Sequence, residues 1–153
     1  MQIVIQNRQK KYRMNRKKVL QWVQEILRFQ KYDEGEVGLI FVNNRQIRKY
    51  NREYRHKDKP TDVLSFPMLE GVGGALHPQF LGDVMISLER VESDARLFGK
   101  SQPQQLLILL IHGILHLIGY DHERSPGEAR RMRRREKYLL EKLSHPSSVS
   151  SGR

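Results

Sequence analysis

The chain has 153 residues, of which 38% are hydrophobic and 29% are charged. That length fits one domain, since domains typically hold roughly 100–200 residues, and the apolar share excludes an intrinsically disordered chain. The absence of cysteine excludes disulfide bonds and thiolate zinc sites, so histidine nitrogens and carboxylate oxygens remain as metal ligands. The formal net charge of +11 favours nucleic acid as a partner, because each neutralised phosphate releases counterions.

The positive charge lies toward the two ends of the chain. Residues 1–60 carry ten more basic than acidic side chains and residues 123–153 carry five more, whereas residues 61–122 carry four more acidic ones. The longest apolar run, residues 106–111, is far below the roughly 18 residues that span a bilayer. No signal-peptide pattern opens the sequence either, so we expect a cytoplasmic protein without a membrane segment.

The first half of the chain is predicted to alternate strands and helices. Residues 1–7 and 36–43 have the short apolar runs of strands, and the second run contains few polar residues. Between them, apolar residues recur at helical spacing over 16–30, after Asn15, a residue type that caps helices. Asn44 is predicted to open a second helix. This half therefore predicts two strands, each followed by a helix.

The second half contributes two more strands and three helices. After a loop around Pro60, the predicted elements are a strand over 62–66, a flexible connection over 70–79, a strand over 82–87, and helices from Ser87 to near Gly99, from Ser101 to about 117 and from Ser125 to about 143. Together these elements indicate an α+β fold, a small sheet covered by helices, over residues 1–143. Residues 144–153 are small and polar and are predicted to form a disordered tail.

Three of the six histidines lie within the segment HGILHLIGYDH. His112 and His116 are four residues apart, so on a helix they face the same side at about 6 Å, a separation that two ligands of one metal ion can use. Gly119 is placed to end the helix and reverse the chain, which brings His122 toward the same point. Three histidines without a fourth protein ligand are typical of a catalytic zinc site with an open coordination position.

Two other interpretations of these histidines must be weighed. A single histidine on an apolar helix is more often a hydrogen-bonded core residue than a ligand, but a set of three at this spacing favours a metal. The spacing is also that of metzincin proteases, whose second motif residue is a glutamate base; here that position is Gly113, so a metallopeptidase is a weak alternative. His56 and His77 lie in predicted loops and are not expected to be ligands.

The sequence resembles the YbeY family of bacterial single-strand-specific endoribonucleases and rRNA maturation factors. Residues 112–122 match the family signature H-G-x-L-H-L-x-G-Y-D-H without a mismatch. Two further segments, YRHKDKPTDVLSFP at 54–67 and LGDVMIS at 81–87, resemble other blocks of the family in the same order. The resemblance covers about residues 1–143 and leaves the tail unmatched.

The resemblance implies a zinc-dependent endoribonuclease that cleaves single-stranded RNA and acts in late 16S rRNA 3′ end maturation and ribosome quality control. The implied partners are rRNA and the small ribosomal subunit. The implied fold is metzincin-like, with a central four-stranded sheet and one zinc ion on a helix and its following turn. The implied ligands are His112, His116 and His122, and the essential arginine of the family falls on Arg55.

Residue chemistry adds a mechanism to this resemblance. Three neutral imidazoles leave a zinc ion its full positive charge, which suits a phosphodiester anion, and zinc can act as Lewis acid and source of the nucleophile. Arg55 would hold the phosphate through its planar donor fork, although a solvated loop arginine is the commoner fate of this residue type. The general acid and base are left open between Asp62 and Asp121; Asp121 could instead orient a ligand imidazole.

Several basic residues are candidates for binding RNA. Lys57 and Lys59 share a loop with Arg55, and five arginines stand within six residues of the last predicted helix. Since these five arginines cannot all share one face of a helix, some are expected to bind RNA or the ribosome and the others to be solvated. Arg130 and Arg134 are the predicted RNA-binding residues of this helix. Ser65 and Asp83 could serve the site or simply support turns or strands. Tyr120 could stack on a base, but packing under the metal loop is favoured.

The main alternative from another class is a non-enzymatic ribosome-assembly or RNA-binding factor whose zinc is structural. The open coordination position favours the enzyme, because structural zinc sites are normally closed by four protein ligands. Cleavage of single-stranded RNA by the purified chain separates the two.

Overall fold

The structure is a computed structural model and describes residues 1–68 and 79–144. The strands are β1 (Gln2–Asn7), β2 (Glu36–Val42), β3 (Val63–Pro67) and β4 (Phe80–Ser87), and the helices are α1 (Arg16–Phe29), α2 (Asn44–Arg55), α3 (Leu88–Leu97), α4 (Gln102–Leu117) and α5 (Pro126–Ser144). Most of the predicted connection and of the predicted tail lie outside the described residues. The division into one domain over 1–143 and a tail over 144–153 stays a prediction.

The four strands form one mixed sheet in the order β1-β2-β4-β3. β1, β2 and β4 run parallel, and β3 at the edge is antiparallel to β4, with Leu64 opposite Met85. Parallel neighbours need a long crossover, which α1 supplies between β1 and β2. The prediction of a small sheet of four strands accompanied by helices is confirmed. The last strand begins at Phe80, two residues before the predicted start.

Apolar side chains pack on both faces of this sheet. The larger core lies on the face covered by α1, α3, α4 and α5, to which Leu39 and Val84 contribute from the strands and Ile114 from α4. On the other face, Ile47 of α2 joins a smaller cluster with Leu64 of β3. Although α4 is strongly apolar, no helix in the described ranges is long and apolar enough to cross a bilayer.

Side-chain caps begin the helices largely as the sequence predicts. Asn15 accepts a hydrogen bond from the Lys18 N–H at the start of α1, and Ser101 forms a capping box with Gln104 at the start of α4. α2 begins at Asn44 as predicted, but its cap is the preceding Asn43, which forms a capping box of its own. These caps fix where each helix starts and therefore which side chains face the sheet.

The middle of α4 lies close against β3 and β4 at Gly113. A Cβ atom there would be 2.6 Å from Cγ1 of Val84 and 3.2 Å from Cγ2 of Val63, both shorter than ordinary contacts. The hydroxyl of Ser65 donates a hydrogen bond to the Gly113 carbonyl oxygen at 2.9 Å. The close packing and the hydrogen bond together position α4 against β3 and β4, and with it the neighbouring His112 and His116.

Candidate metal centre

The three motif histidines meet at the C-terminal end of α4. His112 and His116 lie one turn apart on the helix, with ring centroids 4.7 Å apart. The ring of His122 lies 5.4 Å from that of His112 and 5.1 Å from that of His116. One ring nitrogen from each residue lies within 4.8 Å of the other two. The structure therefore brings together the three histidines that the sequence singles out.

A glycine-dependent turn carries His122 back toward the helix. Gly119 has a φ of +105°, a backbone conformation that other residues rarely adopt. Its N–H donates to the carbonyl oxygen of His116 at 3.2 Å, and the N–H of Tyr120 donates to that of Leu115 at 3.0 Å. These two hydrogen bonds close the end of α4, as predicted for a glycine at this position.

The donor set fits a zinc ion. Nitrogens that share one tetrahedral zinc at about 2.0–2.1 Å are about 3.3 Å apart, so separations of up to 4.8 Å are closed by small side-chain rotations. Within the described ranges, no fourth histidine, aspartate or glutamate joins this group. Three neutral ligands would leave a divalent ion its charge and an open position, a combination suited to an anionic substrate.

A carboxylate on α5 holds the ring of His112. Oε2 of Glu136 lies 2.7 Å from Nδ1 of His112, and both side chains are largely buried. A proton on Nδ1 donated to this carboxylate leaves Nε2 as the lone-pair nitrogen, which is the arrangement found around metal-bound histidines. Sequence reasoning missed Glu136, although it left a signal: it lies on the same helical stripe as the buried Met132 and Leu139.

Burial favours the neutral form of His116. Its pKa lies below the ordinary histidine value, first because burial disfavours the charged ring and then because of the positive charges of His112 and His122, with Asp121 acting weakly in the opposite direction. A metal ligand must be neutral. The environment of His116 therefore supports the protonation state that binding requires.

The histidines open into a cleft of about 480 Å³ that Arg55 and Lys57 also line. Nη2 of Arg55 lies 3.4 Å from Oε1 of Glu123, and the same oxygen lies 3.8 Å from Nε2 of His122. Glu123 was not considered from the sequence, although it directly follows the third histidine. Three cations, those of Arg55, Lys57 and Arg124, and three carboxylates, those of Asp62, Asp121 and Glu123, line the cleft, so a divalent ion held by the imidazoles would give it the net positive charge that suits a phosphate.

The other predicted RNA-binding residues lie outside the lining of this cleft. Lys59 is exposed in the loop after α2, where its carbonyl oxygen accepts a hydrogen bond from Asn51. Arg130 and Arg134 are exposed on α5, one turn apart. Their role in RNA binding stays a prediction.

Two of the neighbouring arginines on α5 have structural contacts instead. The guanidinium of Arg131 lies 4.3 Å from the ring centroid of Tyr120, which packs beside the core, as the sequence favoured. Arg135 donates a hydrogen bond to the carbonyl oxygen of Phe29 at 3.0 Å. These contacts tie the turn and α1 to α5 and leave the remaining arginines to solvent.

The two candidate acid–base residues line the cleft but have local partners. Oδ1 of Asp62 accepts a hydrogen bond from the Val63 N–H at 2.8 Å, and Oδ1 of Asp121 accepts one from the Glu123 N–H at 2.9 Å. Neither carboxylate bonds to a histidine within the described residues. For His112, the imidazole-orienting position considered for Asp121 is filled by Glu136.

The remaining polar residues from the sequence motifs are spread over the structure. Ser65 lines the cleft, whereas Asp83 lies on the opposite face of the sheet, over Gly38, where burial raises its pKa. His56 ends α2 in the left-handed conformation and is exposed. His77 lies outside the described residues.

Comparisons with known proteins identify the family of this chain. The family model described as Endoribonuclease YbeY matches residues 4–144. Similar curated proteins, both named Endoribonuclease YbeY, come from Geobacter metallireducens, with 41% identity over 97% of this chain and 100% of that protein, and from Aquifex aeolicus, with 42% identity over 88% of both. The solution structure of TM1509 from Thermotoga maritima is 32% identical, with a TM-score of 0.62 over 92% of this chain and 88% of that one. The chain belongs to the YbeY endoribonuclease family.

Proposed function

We propose that the chain is a zinc-dependent endoribonuclease specific for single-stranded RNA, acting in 16S rRNA 3′ end maturation and ribosome quality control. The observation that carries the proposal is the convergence of three imidazoles in a cleft that also contains Arg55 and Lys57. The names of the curated relatives support endoribonuclease activity on RNA. The zinc ion, the ribosomal substrate and the small-subunit partner are our inference.

In this proposal His112, His116 and His122 hold the zinc ion, in a metzincin-like arrangement of helix and turn. When bound, zinc supplies Lewis-acid polarisation of a phosphoryl oxygen and activation of water. The hydrogen bond from His112 to Glu136 keeps that ring in one tautomer and orientation before the ion enters. The tight contact at Gly113 gives the helix bearing two of the ligands a rigid support.

Arg55 and Lys57 bind the scissile phosphate in this account. The fork of Arg55 matches two phosphate oxygens, whereas its present partner Glu123 is exposed and makes a single long contact at 3.4 Å. A phosphate that enters the fork replaces this carboxylate. Once displaced from Arg55, Glu123 lies beside His122 and has fewer hydrogen-bonding partners than Asp62 or Asp121. Its carboxylate is therefore suited to accept a proton.

The peptidase alternative has no support from the packing around Gly113. A glutamate base at this position would need a Cβ atom 2.6 Å from Val84, inside a buried contact. Restoring the protease motif would therefore disrupt the support of the site. The alternative with a structural zinc ion predicts the same metal binding but no turnover.

Cleavage assays on labelled single-stranded and duplex RNA test the proposal. We expect the zinc-loaded parent to cut single strands, His116→Ala to lose cleavage, and Arg55→Ala to lose about 10²–10³-fold in kcat/KM, the usual cost of removing one positioned charge-stabilising donor. Arg55→Lys should recover only part, because an ammonium lacks the planar fork. Lys17→Ala, an exposed change on α1, is the matched control. Equal cleavage by all variants would refute the assignment and indicate a contaminating nuclease.

A further inference from the structure

One side of α2 carries a continuous row of basic side chains. Helical spacing puts them within about 120° of the helix circumference, opposite the buried Ile47. All of them are exposed. The row consists of Arg45, Arg48, Lys49, Arg52 and Arg55, and we call the first four the α2 basic face.

Most of the charge on the α2 basic face is not neutralised. Its four side chains, together with Gln46, line one open hollow of about 440 Å³. Asp58 lies 2.8 Å from Nε of Arg48 and 3.9 Å from Nη1 of Arg52. Within the described ranges, Arg45 and Lys49 form no ion pair, so the face keeps an excess of positive charge.

The α2 basic face is continuous with the cleft. Arg55 is the last residue of α2, shares the side of Arg48 and Arg52, and also lines the cleft beside the histidines. From Arg45 to Arg55 the helix advances about 15 Å at 1.5 Å per residue. A strand whose phosphate sits at Arg55 can therefore continue along the helix past several further cations.

The chemistry of the face selects among anionic partners. A membrane-binding helix or a protein interface needs exposed apolar or aromatic anchors. The α2 basic face has none, because its four residues are all basic and the neighbouring Ile47 is buried against the sheet. Guanidinium and ammonium groups in a row suit the regularly spaced charges of a nucleic-acid backbone. We propose that the α2 basic face binds the phosphodiester backbone of the RNA strand where it leaves the cleft. This inference rests on the proposed function, because it places the strand in the cleft.

The test compares two double variants with the same change in charge. Arg45→Gln with Lys49→Gln removes the two unpaired cations of the face, and Arg16→Gln with Lys17→Gln removes an exposed arginine and lysine from α1, which packs on the other face of the sheet. Binding is measured by fluorescence anisotropy on zinc-loaded protein, with single-stranded phosphorothioate RNA, which keeps the backbone charge and resists hydrolysis. Oligomers of about 20 and about three nucleotides are titrated over a range of salt concentrations, because a trinucleotide has only one phosphodiester besides the one at Arg55 and so leaves most of the face empty.

We expect the α2 variant to bind the long RNA more weakly and to reduce the slope of log K against log salt by about 1.4, since each lost phosphate contact removes about 0.7 for single strands. Affinity for the short RNA, and the rate at which unmodified RNA of the same length is cleaved, should match the parent. An unchanged slope, or an equal loss in the α1 variant, would overturn the inference and leave the face to an acidic protein partner or to solvent. Failure of the parent to cleave unmodified single-stranded RNA of either length would instead count against the proposed function.

Discussion

Glu136 should control how tightly the site holds zinc, although it touches no metal. Its carboxylate lies 2.7 Å from Nδ1 of His112, and both side chains are roughly three-quarters buried, at 27% and 28% exposure. A hydrogen bond to a charged group contributes about 1.5–3 kcal/mol. Loss of such a partner behind a ligand imidazole typically costs 10–100-fold in metal affinity, which is about 1.4–2.7 kcal/mol. The two ranges agree, so we expect Glu136→Ala to raise the zinc Kd by 10–100-fold.

The assay is competition for zinc against a chromophoric chelator at neutral pH. Glu136→Gln should fall between the parent and Glu136→Ala, because an amide oxygen still accepts the imidazole proton but carries no charge. Glu141→Gln, an exposed carboxylate on the same helix, is the control and should leave the Kd unchanged. Zinc binding by Glu136→Ala as tight as that of the parent would refute the role assigned to this contact.

Two further predictions concern stability. Gly113→Ala should destabilise the protein by up to about 2 kcal/mol in thermal melts. The cost of overpacking, roughly 1–3 kcal/mol, outweighs the roughly 1 kcal/mol that alanine gains over glycine in a helix. Gly127→Ala is the control and should not destabilise the protein, because a Cβ atom there meets only ordinary contacts. The metal-free chain should lose stability as pH falls below about 6.5, because the unfolded chain protonates before the buried His116, whose pKa is lowered. Melting temperatures that are equal at pH 7 and pH 5 would contradict this, and His116→Gln should flatten the profile.

The sequence predicted those parts of the molecule that depend on short-range periodicity. Helical spacing put His112 and His116 on one side, and Gly119 ended the helix where the turn to His122 begins, so the cluster could be inferred from eleven consecutive residues. Side-chain caps likewise located most helix starts. The missed cap of α2 shows the limit, because two adjacent asparagines have the same capping chemistry and only the backbone decides between them.

Contacts between distant segments could not be predicted in the same way. Glu136 is 24 residues from His112, and its contact depends on how α5 crosses α4. The close approach at Gly113 depends on β4 lying inside the sheet and β3 at its edge, an order that strand patterns do not encode. From the sequence, Gly113 was notable only because metzincin proteases have their glutamate base at this position. The structure adds a steric reason for a glycine there. The α2 basic face went unnoticed because its four residues stand outside the family-like blocks.

X-ray absorption at the zinc edge tests the central claim most directly. On protein loaded with one equivalent of zinc, we expect three imidazole nitrogens at about 2.0–2.1 Å and an additional light scatterer from solvent, with one imidazole fewer in His122→Ala. A shell of four protein ligands, or a spectrum that His122→Ala leaves unchanged, would contradict an open three-histidine centre. The case for metal-assisted RNA hydrolysis at this cleft would then be lost.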